Sequence, residues 1–118
     1  MTPNDDSPGV PPIGPLQLRV MHVIWKRGET TVNEVFLALN GESGAKRLAY
    51  TTFLTVMRNL VRRGLLAQEN TGLGKAHRFR PLLTEEAYKT AFVRQIVDDY
   101  FGGDASLLVR HLDAAKVP

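Results

Sequence analysis

The sequence predicts a mainly α-helical fold with one small β-hairpin, and two patterns predict it. Apolar residues recur at helical spacing before residue 64 and again after residue 84. Between Gly64 and Pro81 that spacing gives way to two short strand-like runs around a turn-rich tip. The expected order is three helices, a hairpin and two further helices. A length of 118 residues suits one domain, or one domain with a short accessory segment.

Residues 1–13 are acidic and Pro-rich (Asp5, Asp6, Pro8, Pro11, Pro12) and read as a disordered tail, unlike a signal peptide or membrane span. Gly14-Pro15-Leu16 opens the first helix, with Pro15 suited to the first helical position. Leu18, Met21, Ile24 and Trp25 make its apolar stripe, and Val20 and Val23 widen it. Trp25 reads as a core anchor and His22 as a surface or boundary residue. The helix should stop near Arg27-Gly28.

Thr30-Thr31 offers a short β-bridge, after which Thr31-Val32-Asn33-Glu34 reads as a capping box. Val32, Val35, Phe36 and Leu39 supply the buried face of a second helix ending around Asn40-Gly41. A polar connector, Glu42 to Arg47, leads to a third helix starting at Leu48 or Ala49.

That third helix has two faces. Phe53, Val56, Met57 and Leu60 form an apolar stripe. Thr51, Thr55, Arg58 and Arg62 form another, with Thr52, Asn59 and Arg63 beside them and no carboxylate. Gly64 follows where a left-handed residue is wanted. Such a helix can pack on one side and meet a polyanion on the other.

Leu65 to Glu69 and Ala76 to Arg80 read as antiparallel strands joined by Asn70 to Lys75, the second stopped by Pro81. His77 and Phe79 should face one way, Arg78 and Arg80 the other. Three helices followed by a hairpin with a basic tip is the order of a winged helix-turn-helix, whose third helix enters the DNA major groove while the hairpin lies along the backbone.

Thr84-Glu85-Glu86 starts a fourth helix, with Thr84 as N-cap and two acids near the positive end of the dipole. Gly102-Gly103 breaks it, and Ala105 to Leu112 forms a last short helix. The two helices carry much apolar surface after a unit that already closes its own core. It can pack back on that domain or form a homodimer. A lone winged helix holds little surface for selective DNA binding, which favours dimerisation through Tyr88, Phe92, Ile96, Tyr100, Leu107 and Leu108. The expected organisation is a tail at 1–13, a winged-helix DNA-binding domain at 14–82 and a C-terminal helical dimerisation segment at 83–118.

Charge supports the same reading. The net charge is +3, but Ala45 to Arg80 holds eight basic residues and one acid, a local charge of +7. Basic charge concentrated on one structural unit is the footprint of nucleic-acid binding. The absence of cysteine excludes disulfides, a thiol nucleophile and Cys-ligated metal in this chain. The three histidines fall in separate elements, and no phosphate loop, Ser/His/Asp order or HExxH spacing occurs. No catalytic constellation, metal site or cofactor is expected, and the chain reads as a binding protein, not an enzyme.

Three stretches together resemble the penicillinase and methicillin-resistance repressor (BlaI/MecI) family. Leu16 to Trp25 resembles its L-x-x-x-V-M-x-x-x-W opening. Tyr50 to Leu66 resembles its Y-T-T-V-x-T-x-x-x-R-L-x-x-K-G-x-L centre, and His77-Arg78-Phe79-Arg80-Pro81 is the third stretch. The resemblance implies a cytoplasmic bacterial repressor that binds a palindromic operator, with TACA/TGTA-type half-sites, as a homodimer. Carried over from the resemblance, base or backbone contacts fall to Thr51, Thr52, Thr55 and Arg58, the last lying one residue ahead of the position of the family's arginine. Backbone contacts fall to Lys46, Arg47, Arg62, Lys75 and Arg78. Leu54 departs from the polar residue of some members and can meet a thymine methyl.

The family is induced when a membrane sensor metalloprotease leads to cutting in the C-terminal helices. That region falls near Arg110-His111, without the Asn-Phe pair known there, and the end at Pro118 leaves less dimerisation helix than in typical members. The cysteine-free sequence also sets it apart from the copper-responsive branch. Two other readings compete: a winged-helix protein-protein interaction module without sequence-specific DNA binding, and a small enzyme or ligand-binding domain. The +7 segment argues against the first, and the lack of converging titratable groups against the second.

Overall fold

A computed structural model describes residue 10 and residues 13–41, 47–69 and 77–115. The order is α1 (Pro15–Arg27), α2 (Val32–Asn40), α3 (Tyr50–Arg62), β1 (Leu66–Glu69), β2 (Arg78–Pro81), α4 (Glu85–Tyr100) and α5 (Ala105–Ala115). The strands form one antiparallel pair in which Leu66 faces Pro81, Ala67 faces Arg80, Gln68 faces Phe79 and Glu69 faces Arg78. The fold is a winged helix followed by two helices. Residues 11–85 make one compact unit, and α4 and α5 belong to another.

The core of the first unit is built from the stripes that periodicity marks. Val20, Met21 and Ile24 of α1, Val32, Val35 and Leu39 of α2, and Phe53, Met57 and Leu60 of α3 are all buried. Phe36 meets Phe53 and Tyr50 edge-on at centroid distances of 6.0 and 5.8 Å, an arrangement aromatic quadrupoles favour. Leu18, Val23 and Trp25 are half-buried. Trp25 acts at the rim, where its indole N–H donates to the Leu83 carbonyl at 2.9 Å. This ties α1 to the chain leaving the hairpin.

Each helix end has a local cause. The Gly14 N–H donates to the Gln17 side-chain oxygen at 2.7 Å, satisfying an amide ahead of α1. At α2, Thr31 Oγ1 accepts from the Glu34 amide at 3.1 Å and Glu34 Oε1 accepts from the Thr31 amide at 2.9 Å, a closed capping box. At α3, Gly64 adopts φ +84°; its amide reaches the Val61 carbonyl and the Leu65 amide reaches the Leu60 carbonyl, both at 3.0 Å. That is a Schellman stop, and the paired apolar residues Leu60 and Leu65 are both buried.

Several expected boundaries move. The third helix begins at Tyr50 because both backbone groups of Leu48 are engaged by Asn40 and Ala49 is extended. Leu65 belongs to the turn, not to β1. Pro81 lies inside β2, at its last pairing position, where a two-stranded sheet leaves an edge that tolerates a missing N–H. The expected bridge forms: Thr30 and Phe79 exchange N–H···O bonds of 2.9 and 2.8 Å, and Thr30 and Phe79 are buried.

In the second unit, Gly102 and Gly103 take φ of +61° and +85°, ending the run after α4. Asp104 Oδ1 then accepts from the Ser106 amide at 3.0 Å and hydroxyl at 2.6 Å, capping α5. The sequence reading did not anticipate this cap. Val10, in the segment expected to be a tail, is buried. Residues 1–9, 11, 12, 42–46 and 70–76, which include most of that tail, most of the connector and the hairpin tip, lie outside the described residues.

Candidate nucleic-acid interface

The site is the face of α3 turned away from the core. Phe53, Met57 and Leu60 are fully buried, so residues offset by half a turn must project outward. Thr51, Thr55, Arg58 and Arg62 are exposed, at i, i+4, i+7 and i+11. At 1.5 Å per residue this stripe runs about 16 Å along the helix. None of these four side chains makes a hydrogen bond or ion pair with another described residue. Thr52 and Leu54, beside them, are half-buried.

Asn59 differs from its neighbours. Its Oδ1 accepts from Gln17 Nε2 at 3.3 Å, linking α3 to the first turn of α1. Its amide oxygen is therefore committed to packing, which leaves hydroxyl and guanidinium chemistry on the outward stripe. Threonine can donate to phosphate or touch a thymine methyl, and arginine suits guanine edges or phosphate.

The cations around α3 divide into two groups. Arg80 Nε donates to Glu69 Oε2 across the hairpin at 2.9 Å, and Arg78 Nε lies 3.4 Å from Glu29 Oε1. Arg47, exposed just ahead of α3, joins Arg58 and Arg62 in having no ion pair among the described residues. Among the described residues, Arg47, Arg58 and Arg62 thus leave positive charge unpaired on α3 and its approach, while the strand cations are partly compensated. Lys46 and Lys75, two further expected contacts, lie outside the described residues. Nearby, the Glu34 carboxyl is held below its ordinary value, first by the Thr30 hydroxyl at 2.8 Å and then by the Thr31 amide.

One contact just ahead of α3 escaped the sequence reading. Asn40 is buried at the end of α2, and its side chain holds both backbone groups of Leu48. A polar residue closing an apolar helical run is the signal the sequence carries for it.

The residues expected at a dimer interface are distributed over α4 and α5. Tyr88 is buried within the chain and stacks on Phe92 at 6.1 Å. Phe92 is exposed and Tyr100 is 78% exposed, whereas Ile96, Leu107 and Leu108 are half-buried. Val93, Val109 and Leu112 are further exposed apolar side chains. No residue of α5 is buried. Among the described residues there is no group of three His, Cys, Asp or Glu placed to hold a metal, and no helix is long and apolar enough to cross a membrane.

Comparison with known proteins gives a consistent result. Residues 13–117 match the family model described as Penicillinase repressor. Two curated relatives, each named Transcriptional regulator BlaI, come from Mycobacterium tuberculosis strains CDC 1551 / Oshkosh and ATCC 25618 / H37Rv. Both are 38% identical over 71 residues, which is 59% of this chain. The match covers 48% of their length, so the chain spans about half of these relatives. Among solved structures, the solution structure of the DNA-binding domain of the repressor BlaI is similar, with a TM-score of 0.55 and 29% identity. It covers 67% of this chain and 90% of that domain.

Proposed function

The chain belongs to the penicillinase repressor family, and from that premise we propose that it is a transcriptional repressor that binds a palindromic DNA operator as a homodimer. One observation carries the reading. The Thr51–Thr55–Arg58–Arg62 stripe is exposed and free of partners among the described residues, opposite a fully buried Phe53–Met57–Leu60 face. The similarity to a BlaI DNA-binding domain supports the same use of the fold.

Residues 14–82 read DNA, and residues 83–118 dimerise. α3 lies in the major groove, Arg58 and the threonines meet base edges and phosphates, and Arg47, Arg62 and Arg78 meet the backbone. Each protomer takes one half-site, with centres roughly 34–36 Å apart if the half-sites are one turn apart. Repression follows from occlusion, the dimer covering promoter DNA that polymerase needs. Exposed Phe92, Val93, Tyr100, Val109 and Leu112 supply apolar surface for a second copy. Tyr100→Asp, at a position the chain itself leaves exposed, should shift sedimentation toward the monomer. An unchanged dimer would remove Tyr100 from the interface.

Relief of repression by a membrane sensor metalloprotease fits the exposure of Arg110 and His111 on α5. Incubation with the sensor protease should cut α5 and release DNA; an intact repressor with unchanged binding would discard this part. The central test is a gel shift with DNA upstream of the chain's own gene, at two salt concentrations, beside a random competitor. Selective binding that weakens steeply with salt is expected. Salt-insensitive or absent binding would return the fold to the protein-interaction reading.

A further inference from the structure

We infer that Asn40 is a positioning residue for DNA discrimination: its side-chain amide sets where α3 begins, and hence where the Thr51–Arg62 stripe lies. The inference rests on the DNA-binding reading above. Asn40 is the last residue of α2 and only 8% exposed. Its Nδ2 donates to the Leu48 carbonyl at 2.9 Å, and its Oδ1 accepts from the Leu48 amide at 3.0 Å. A side-chain amide offers the same donor and acceptor pair as a peptide edge, so the contact imitates a one-residue β-bridge. A single bond would let the backbone at Leu48 pivot, whereas two, one to each flanking peptide group, fix its orientation.

Leu48 lies two residues before the first residue of α3. Ala49 between them is extended, at φ −71° and ψ 151°, and offers no side-chain cap. Among the described residues, the start of the helix therefore has no side-chain cap of its own. Its other ties differ in kind. Phe36 against Tyr50 and Phe53 is edge-on aromatic packing, whose geometric preference is shallow beside that of a paired hydrogen bond and tolerates small slides. Gln17 to Asn59 is one bond of 3.3 Å near the opposite end. Among the described residues, the Asn40 pair is the directional side-chain contact at the end that carries Thr51, Thr52 and the adjacent Arg47.

The chemistry singles out the amide. Aspartate has acceptors only and would set a carboxylate oxygen against the Leu48 carbonyl. Alanine makes neither bond. Glutamine adds a methylene and lifts the amide out of register. Because base readout depends on the direction of side-chain hydrogen bonds and phosphate attraction much less so, loosening this clamp should cost discrimination more than general affinity.

The test uses the full chain with Asn40→Ala and Asn40→Asp. Binding is measured on DNA upstream of the chain's own gene and on a random duplex of equal length, at a temperature where circular dichroism shows native helix content. Leu48 amide exchange is followed by NMR in the unaltered protein. The expected result is a fall of about tenfold or more in the ratio of the two affinities, comparable to losing one base contact. Random-duplex affinity and its salt dependence should stay nearly constant, and the Leu48 amide should be protected. An unchanged ratio, or equal loss on both duplexes, overturns the inference while leaving the repressor reading intact. A rapidly exchanging Leu48 amide overturns it even where a variant fails to fold. An unaltered protein with no preference between the duplexes instead overturns the repressor reading on which the inference rests.

Discussion

The Arg78 guanidinium lies 3.4 Å from the Glu29 carboxylate, so a cation on the second strand already has an anionic partner before any DNA arrives. Both side chains are more than a third exposed, and such a pair contributes roughly 0–1 kcal/mol. A phosphate approaching Arg78 has to compete with Glu29. Glu29→Gln should therefore raise affinity by a few-fold at most, equally on operator and random DNA. The salt dependence should steepen at the same time. Filter binding across a salt series checks this, and unaltered affinity and slope would remove Arg78 from the phosphate contacts.

Arg58 and Arg62 share one stripe but should respond differently to truncation. Arg58→Ala should cost roughly 1–3 kcal/mol on the cognate operator and much less on random DNA if its guanidinium reads a base. Arg62→Ala should weaken both DNAs alike and reduce the salt slope by about one. Competition titrations separate the two outcomes, and equal loss on both DNAs for Arg58→Ala contradicts base reading.

Gly64 isolates backbone conformation from packing. A Cβ there would meet nothing within 4 Å, yet φ is +84°. Gly64→Ala should cost about 1 kcal/mol through left-handed strain alone, lowering Tm by several degrees. DNA affinity well below the transition should not change, because α3 keeps its core contacts. Calorimetry beside a binding titration measures both, and an unshifted Tm would show that the turn relaxes without strain.

The Glu34 carboxyl is held below its ordinary value of 4.5, chiefly by the Thr30 hydroxyl and next by the Thr31 amide, with weaker attraction from Arg78 and Arg27. A carboxyl whose folded pKa lies below its unfolded one stabilises the fold fully above the unfolded value. That stability is lost as pH falls through the folded value. Glu34→Gln keeps an oxygen for the cap but removes the charge. The Tm difference between parent and variant should thus be largest near neutrality and shrink below about pH 4.5. A difference independent of pH would assign the effect to shape, not ionisation.

Much of this molecule is written in short-range patterns. The division of α3 into a buried Phe53–Met57–Leu60 face and an exposed Thr51–Thr55–Arg58–Arg62 face follows from spacing alone, because both faces are properties of one helix. The Thr31–Glu34 box and the Gly64 stop need only residues within two turns of one another, and both are present. Phe79 facing inward beside an outward Arg80 is likewise a consequence of strand alternation.

Other contacts had no such signature. Gln17 reaches Asn59 across 42 positions, Trp25 reaches Leu83 across 58, and Arg78 finds Glu29 on a different element. Even the Asn40–Leu48 clamp, only eight positions apart, spans a connector whose path no periodicity dictates. Apolar burial is additive and nearly directionless, so a stripe announces itself in the sequence before its partner is known. A hydrogen bond or ion pair requires two groups at one distance and angle, and that geometry exists only once helices and hairpin have packed. The amino-acid order by itself determined which face of α3 is offered to a partner; tertiary packing decided where that face starts and which surrounding charges are left to use.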